Sequence, residues 1–161
     1  MATDNFFRMM QIIDDVFSTR EDPDQLQVDE KVIARLNDLH PSALSEFDDG
    51  NGPAIWILII PTISALMEKF VRAEISEQEL FDQTKPGMKF DCIYLCSATV
   101  LPEYRRKGLA AKMTVDAVKK IMEVFPVKKL FVWPFSEGGK KLAVKVGEEC
   151  GLDVEFRDSE M

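Results

Sequence analysis

Residues 92–133 constrain the fold more than any other part of the chain. CIYLCSATV at 92–100 is a β-prone, mostly apolar run of the kind that is buried on both faces of a sheet. A helical pattern follows, with Leu109, Met113, Ala117 and Ile121 on one stripe, flanked by Ala110, Val118 and Val124. Lys112, Asp116, Lys119, Lys120 and Glu123 fall on the opposite side. Phe125-Pro126 ends this helix, 130–133 is a second strand, and Pro134 closes it. Two strands joined through a helix do not form a hairpin. They lie parallel in one sheet, with a right-handed crossover, and this commits the chain to the α/β class.

The flanking segments complete that sheet. Phe6, Met9, Met10, Ile13, Val16 and Phe17 recur at helical spacing over 5–18, and Val32, Leu36 and Leu39 do so over 28–39, where His40-Pro41 stops the helix. The acidic EDPD at 21–24 separates the two. ALSEF and PAIWILIIP flank Asp48-Asp49-Gly50-Asn51-Gly52, whose residues tolerate positive φ, so a hairpin is predicted there. The pattern over 62–81 is again helical, in two short helices meeting near Glu74-Ile75-Ser76. Helix 139–150 turns Leu142, Ala143, Val146 and Cys150 inward, and 153–156 is a last edge strand. A chain of 161 residues suffices for one domain, 1–161, with a mixed sheet, N-terminal helices, an antiparallel hairpin and a C-terminal β-α-β-α unit.

Charge narrows the partners. Residues 1–104 hold 8 Lys/Arg against 19 Asp/Glu, whereas 105–161 hold 12 against 9. Extended nucleic acid is a poor partner for such a chain, because its phosphates would meet mostly carboxylates. The longest apolar run, 54–60, is about a third of a membrane span, and no basic region precedes an apolar segment at the N-terminus, so neither a membrane span nor a secretory signal is expected. Cys92, Cys96 and Cys150 are an odd set, which fits a reducing, cytoplasmic setting. Cys92 and Cys96 lie four apart on a strand, about 13 Å, too far to share a metal. No metal site is expected.

Against this acidic background, LPEYRRKGLAAK at 101–112 stands out. Arg105, Arg106 and Lys107 fall where a buried strand hands over to a helix, whose first N–H groups lack partners and whose dipole is positive there. Gly108 lets a ligand approach the backbone and Ala110 keeps the first turn slim. Such a turn either cradles an anion or is a surface loop of solvated bases. The mononucleotide pattern GxxxxGK[ST] and the dinucleotide pattern GxGxxG are both absent.

Arg105-x-x-Gly108-x-Ala110, preceded by Val100-Leu-Pro-Glu-Tyr104, resembles the acyl-CoA signature [Q/R]-x-x-G-x-[G/A] of the GNAT superfamily of N-acyltransferases. The likeness covers roughly 90–152. It implies a GNAT-like fold, acetyl-CoA as cosubstrate, and a pyrophosphate held by Arg105, Arg106, Lys107, Gly108, Leu109 and Ala110. It also implies that Ala98 and Val100 pair through their backbones with the pantetheine arm, and that Ser136 stands nearest to the asparagine relatives place beyond the second parallel strand. EECGLDV at 148–154 is similar to the family's Gly-aromatic, with Leu152 in place of the aromatic. Before the hairpin the likeness weakens, since two helices come first and 62–84 reads as an insertion.

Transfer from a thioester to an amine needs positioning and a backbone donor for the carbonyl, near Val100, but no enzyme nucleophile. His40, the one histidine, is a poor nucleophile partner beside Pro41. The tyrosine that many relatives place four residues before the Gly is Gly147 here. Tyr94, on the strand where some relatives keep a glutamate base, is the catalytic candidate: it either relays a proton or is a buried tyrosine making one hydrogen bond. The acidic first half suits a cationic amine acceptor, small molecule or protein, and Glu46, Asp48 and Asp49 either border its pocket or are loop carboxylates. Two other readings stay open: a non-catalytic CoA-binding module, and an interaction protein whose basic turn binds a protein carboxylate or nothing. A homodimer is also left open.

Overall fold

Strand alternation accounts for the apolar run at 54–60. The computed structural model describes residues 4–20, 30–105, 107–134 and 137–157, at 13–20 and 30 by backbone alone. Strand β2, Pro53–Thr62, is buried except at Trp56, because both faces of its sheet are covered. Leu58 and Ile60 point into one core with Leu36 of helix α2 (Glu30–Leu39), Phe70 of α3 (Ser64–Val71) and Leu80 of α4 (Glu77–Gln83). Ile55, Ile57 and Ile59 point into the other, with Met9 of α1 (Asp4–Arg20), Val118 of α5 (Leu109–Met122) and Val146 of α6 (Glu137–Cys150).

Among the described residues the sheet has five strands in chain order: β1 (Leu44–Asp48), β2, β3 (Cys92–Val100), β4 (Lys129–Val132) and β5 (Asp153–Phe156). The first two pairings are antiparallel and the last two parallel, so the α/β expectation with a hairpin leading into a parallel unit is borne out. The hairpin turn is closed by Asp48, whose Oδ1 accepts from the N–H groups of Gly50 and Gly52 at 2.8 and 3.2 Å. Among the described residues no helix is long and apolar enough to cross a membrane.

Two features of the sheet prepare the site. β3 pairs with β4 only over 92–95, because β4 stops at Val132 and Trp133-Pro134 leave the ladder. Beyond that point β3 continues on β2 alone, through a bulge that gives Cys96 no opposite residue between Leu95↔Ile59 and Ser97↔Leu58. The expectation that Cys92–Val100 is buried throughout therefore holds for its first three residues; Ser97 and Ala98 are exposed.

The helical pair α3 and α4 is pinned to the same strand. Asp91, just before β3, accepts from Ser64 N and Oγ at 2.8 and 2.7 Å. Ser76 and Glu79 form a capping box that starts α4, with bonds of 3.0 and 3.2 Å. Glu77, Leu80 and Phe81 then fall on its buried side, at i, i+3 and i+4.

Candidate ligand-binding site

The open edge of β3 runs into the basic turn. Leu101 N–H donates to Ala54 O at 2.9 Å, and strand alternation then turns the peptide groups of Thr99 and Ser97 toward β2. Those of Ala98 and Val100 point the other way, to the side that β4 has left. Arg105 is exposed, and its Nε donates to Val100 O at 3.0 Å, so its charge is held at the end of that edge. Lys107 is exposed, with Nζ 5.7 Å from the ring centre of Tyr104. Arg106 and Ser136 lie outside the described residues.

Gly108 is the N-cap of α5, at φ +76°, and among the described residues no side chain caps the helix. A Cβ there would meet no described atom within 4 Å, so the glycine answers the left-handed backbone and not a steric need. Leu109 and Ala110 start the helix half-buried, and Thr114 Oγ1 donates back to Ala110 O at 2.7 Å. A groove of about 350 Å³ continues from Gly108 past Ala111, Lys112 and Lys145, between α5 and α6.

Contacts from α1 and the hairpin brace the turn from behind. Arg8 forms a two-pronged ion pair with Glu103 at 2.7 and 2.5 Å. Tyr104 Oη donates to Asp49 Oδ2 at 2.6 Å, and Asn5, itself buried, donates to Asp49 Oδ1 and Gly52 O at 2.9 and 3.2 Å. Glu103 is thus matched by Arg8 and does not offset the three bases beside it. Asp48 and Asp49 are spent on the hairpin and Glu46 accepts from Trp56 Nε1 at 2.7 Å, which gives all three structural partners.

The Arg8 guanidinium holds the Glu103 carboxyl down at about 2, from an ordinary 4.5. Asp49 is lowered by the Tyr104 hydroxyl and then by Asn51 N–H. A depressed carboxyl stabilises the fold fully above its unfolded value and loses that contribution as pH falls through its folded one. The brace therefore weakens from about pH 4.5 to pH 2. Arg8→Ala is expected to flatten the fall of Tm across that window, which an acid melting series measures.

Tyr94 is fully buried on the other face of β3. It stacks on Phe131 at 5.0 Å and donates from Oη to Glu77 Oε2 at 2.5 Å. Burial, and then the Glu77 carboxylate, push its hydroxyl well above the usual tyrosine range, so it remains a donor. Cys96 Sγ, at the bulge, lies 3.8 Å from the same Oε2. Arg157, just past β5, donates from Nη1 to Ile75 O at 3.1 Å, with its guanidinium 4.6 Å from the Phe70 ring centre and 4.1 Å from that of Trp133. Tyr94 is thus a buried tyrosine whose hydroxyl donates to Glu77.

Sequence reasoning missed Glu77, although its spacing to Leu80 and Phe81 was legible. His40 Nδ1 accepts from Ser42 N at 2.9 Å and caps a short turn, and burial lowers its pKa. Cys92 is buried, and burial raises its thiol pKa. Among the described residues no cluster of three or more His, Cys, Asp or Glu side chains is placed to hold a metal. No family model, no curated protein and no solved structure matches the chain.

Proposed function

We propose that the chain is an acyl-CoA-dependent N-acyltransferase of the GNAT type, moving an acetyl group from acetyl-CoA to a primary amine. One observation carries this reading: the backbone edge of β3 that β4 leaves runs, through a tight turn at Pro102–Tyr104, to a glycine-turned helix start with Arg105 and Lys107 beside it. CoA has the complementary order, an amide-bearing arm followed by a pyrophosphate. The Ala98 and Val100 peptide groups suit the arm. The first N–H groups of α5, Arg105, Arg106 and Lys107 suit the phosphates.

The thioester supplies an activated acyl carbon and a leaving thiolate. The chain's residues supply position, a backbone donor near Val100 for the carbonyl oxygen, and surroundings that let a neutral amine attack. The acidic first half of the chain draws in a cationic acceptor. A second reading, a CoA-binding module without catalysis, rests on Gly147 standing where relatives keep a tyrosine acid.

Thermal denaturation with CoA tests the binding step. Ligand at a hundredfold over its dissociation constant is expected to add about 2.7 kcal/mol, and an unmoved melting point would remove both CoA readings. Thiol release from acetyl-CoA over a panel of amines then separates enzyme from module: release that depends on the amine supports transfer, and binding without release supports the module.

A further inference from the structure

We infer that Arg8 of α1 is a positioning residue for the basic turn: it occupies Glu103 and so leaves Arg105, Arg106 and Lys107 to the anion. This rests on the CoA-binding reading for the identity of that anion.

Residues 102–108, PEYRRKG, put one acid two positions before three consecutive bases. Glu103 is drawn toward the same positive helix start as a ligand phosphate, and a carboxylate seated there cancels one of the bases. Arg8 prevents this. Its Nη1 donates to Glu103 Oε2 at 2.7 Å and its Nη2 to Oε1 at 2.5 Å, so both carboxylate oxygens are engaged from α1. Such a fork is the geometry in which an exposed ion pair holds its partner in place. Among the described residues, neither Arg105 nor Lys107 forms an ion pair with an acid.

Two anchors aim Arg8. Asn5, Arg8 and Met9 lie at i, i+3 and i+4 on α1, and so on one side of it. Met9 is fully buried in the core shared with α5 and α6, and the buried Asn5 amide donates to Asp49 Oδ1 and Gly52 O of the hairpin. The hairpin in turn holds the segment that carries Glu103. Asp49 Oδ2 accepts from Tyr104 Oη at 2.6 Å, and the Tyr104 ring meets Phe47 edge-on with centres 5.6 Å apart. Backbone bonds from Tyr104 N–H to Leu101 O, 2.9 Å, and from Arg105 N–H to Pro102 O, 3.2 Å, keep 102–104 a tight turn. Three consecutive side chains therefore go to three different elements: Glu103 to α1, Tyr104 to the hairpin and Arg105 to Val100 O of β3. The acid and the first base flank Tyr104 in the chain and have separate partners.

A brace and a charge partner predict opposite rescues. If the ion pair only stiffens the turn, removing either member weakens anion binding, and removing both does no better. If Arg8 keeps Glu103 off the bases, the harm comes only from losing Arg8 with Glu103 still in place. Neutralising Glu103 then undoes it.

Calorimetric titration of CoA and of inorganic pyrophosphate, at low and high salt, tests this. It compares wild type, Arg8→Ala, Arg8→Lys, Glu103→Gln and the double variant Arg8→Ala/Glu103→Gln, each melted first to establish that it is folded. At low salt Arg8→Ala is expected to weaken both ligands about three- to tenfold, at most the effect of deleting one base, and the loss should shrink at high salt. Glu103→Gln should bind as wild type or up to about threefold tighter, and the double variant should return to within about twofold of wild type. Arg8→Lys keeps the charge without the fork and should fall between wild type and Arg8→Ala. Equal losses in Arg8→Ala, Glu103→Gln and the double variant, persisting at high salt, would mark a structural brace and overturn the assignment. So would wild-type affinity in Arg8→Ala. Should Arg8→Ala not fold, Arg8→Lys with and without Glu103→Gln gives the same comparison, and a loss that Glu103→Gln does not rescue overturns it equally. A wild type that binds pyrophosphate with this order of variants but does not bind CoA removes the CoA reading and keeps the role of Arg8. One that binds neither removes both.

Discussion

Gly147→Tyr is expected to destabilise the protein by about 3 kcal/mol or more, without adding an acid to the site. Gly147 is buried in α6, and a Cβ built on it would lie 2.5 Å from Val154 Cγ2 and 2.9 Å from Leu152 O. The second contact is backbone, and that backbone is fixed. Leu152 N–H donates to Gly147 O at 2.9 Å and Gly151 N–H to Glu148 O at 3.3 Å, with Gly151 at φ +69°. These are the two bonds of a Schellman cap, so the chain that would have to retreat is the one that ends the helix and starts β5. Removing a helical glycine gains at most about 1 kcal/mol, which the overlap exceeds. For a chain of this size the net loss corresponds to a Tm lower by roughly 10 °C. Gly147→Ala should show the same sign with a smaller drop, because the Cβ alone makes the clash. Paired thermal and denaturant melts measure both. A tyrosine variant that melts with wild type and releases thiol faster would show that α6 has room and that the missing acid limits the rate. Under the proposed function, the thiolate instead leaves without a dedicated acid, which a thiol with a pKa near 8.5 tolerates.

Much of the fold was legible because its signals are local. AIWILII with DDGNG gives a hairpin from alternation and turn chemistry alone, and SEQE gives a capping box at the junction where two helices were expected. Strand length was less legible, because it depends on neighbours. Trp133 has the composition of a strand residue, yet the ladder ends at Val132, and that one-residue difference belongs to the opening beside β3. Side-chain partners far apart in sequence were illegible for the same reason. Tyr104 reads as part of an exposed turn, but its hydroxyl meets Asp49, 55 positions away. Glu77 reads as one more acid in an acidic stretch, and only the packing of α4 on β3 brings it to Tyr94. The placing of the basic turn between a strand and a helix was legible, since strand, tight turn, glycine and helix follow one another in the chain. Its bracing by Asn5 and Arg8 was not.

Replacing Arg105, Arg106 and Lys107 together by alanine is expected to weaken CoA binding about 100-fold and to remove most of its salt dependence. Arg105 and Lys107 are exposed, so each is worth less than a buried charge-assisted hydrogen bond, and about 1 kcal/mol apiece for the three is the reasonable scale. Part of the affinity should survive, because the first N–H groups of α5 and its dipole do not depend on side chains. Arg105 also donates to Val100 O, so Arg105→Ala frees a carbonyl on the edge proposed for the pantetheine arm. Its single loss, roughly tenfold, should therefore depend less on salt than that of Lys107→Ala, which removes a charge and its contact with the Tyr104 ring but no hydrogen bond to that edge. Stability should stay within about 0.5 kcal/mol, since Arg105 and Lys107 are exposed and removing like charges relieves repulsion at a positive helix end. Calorimetric titration of CoA at low and high salt, with free pyrophosphate as competitor, measures each part. Wild-type affinity in the triple variant, with an unchanged salt slope, would place the phosphates elsewhere on the chain. Loss of affinity for CoA with no competition from pyrophosphate would instead assign the bases to the nucleotide's other phosphate, toward the groove that leads to Lys112 and Lys145.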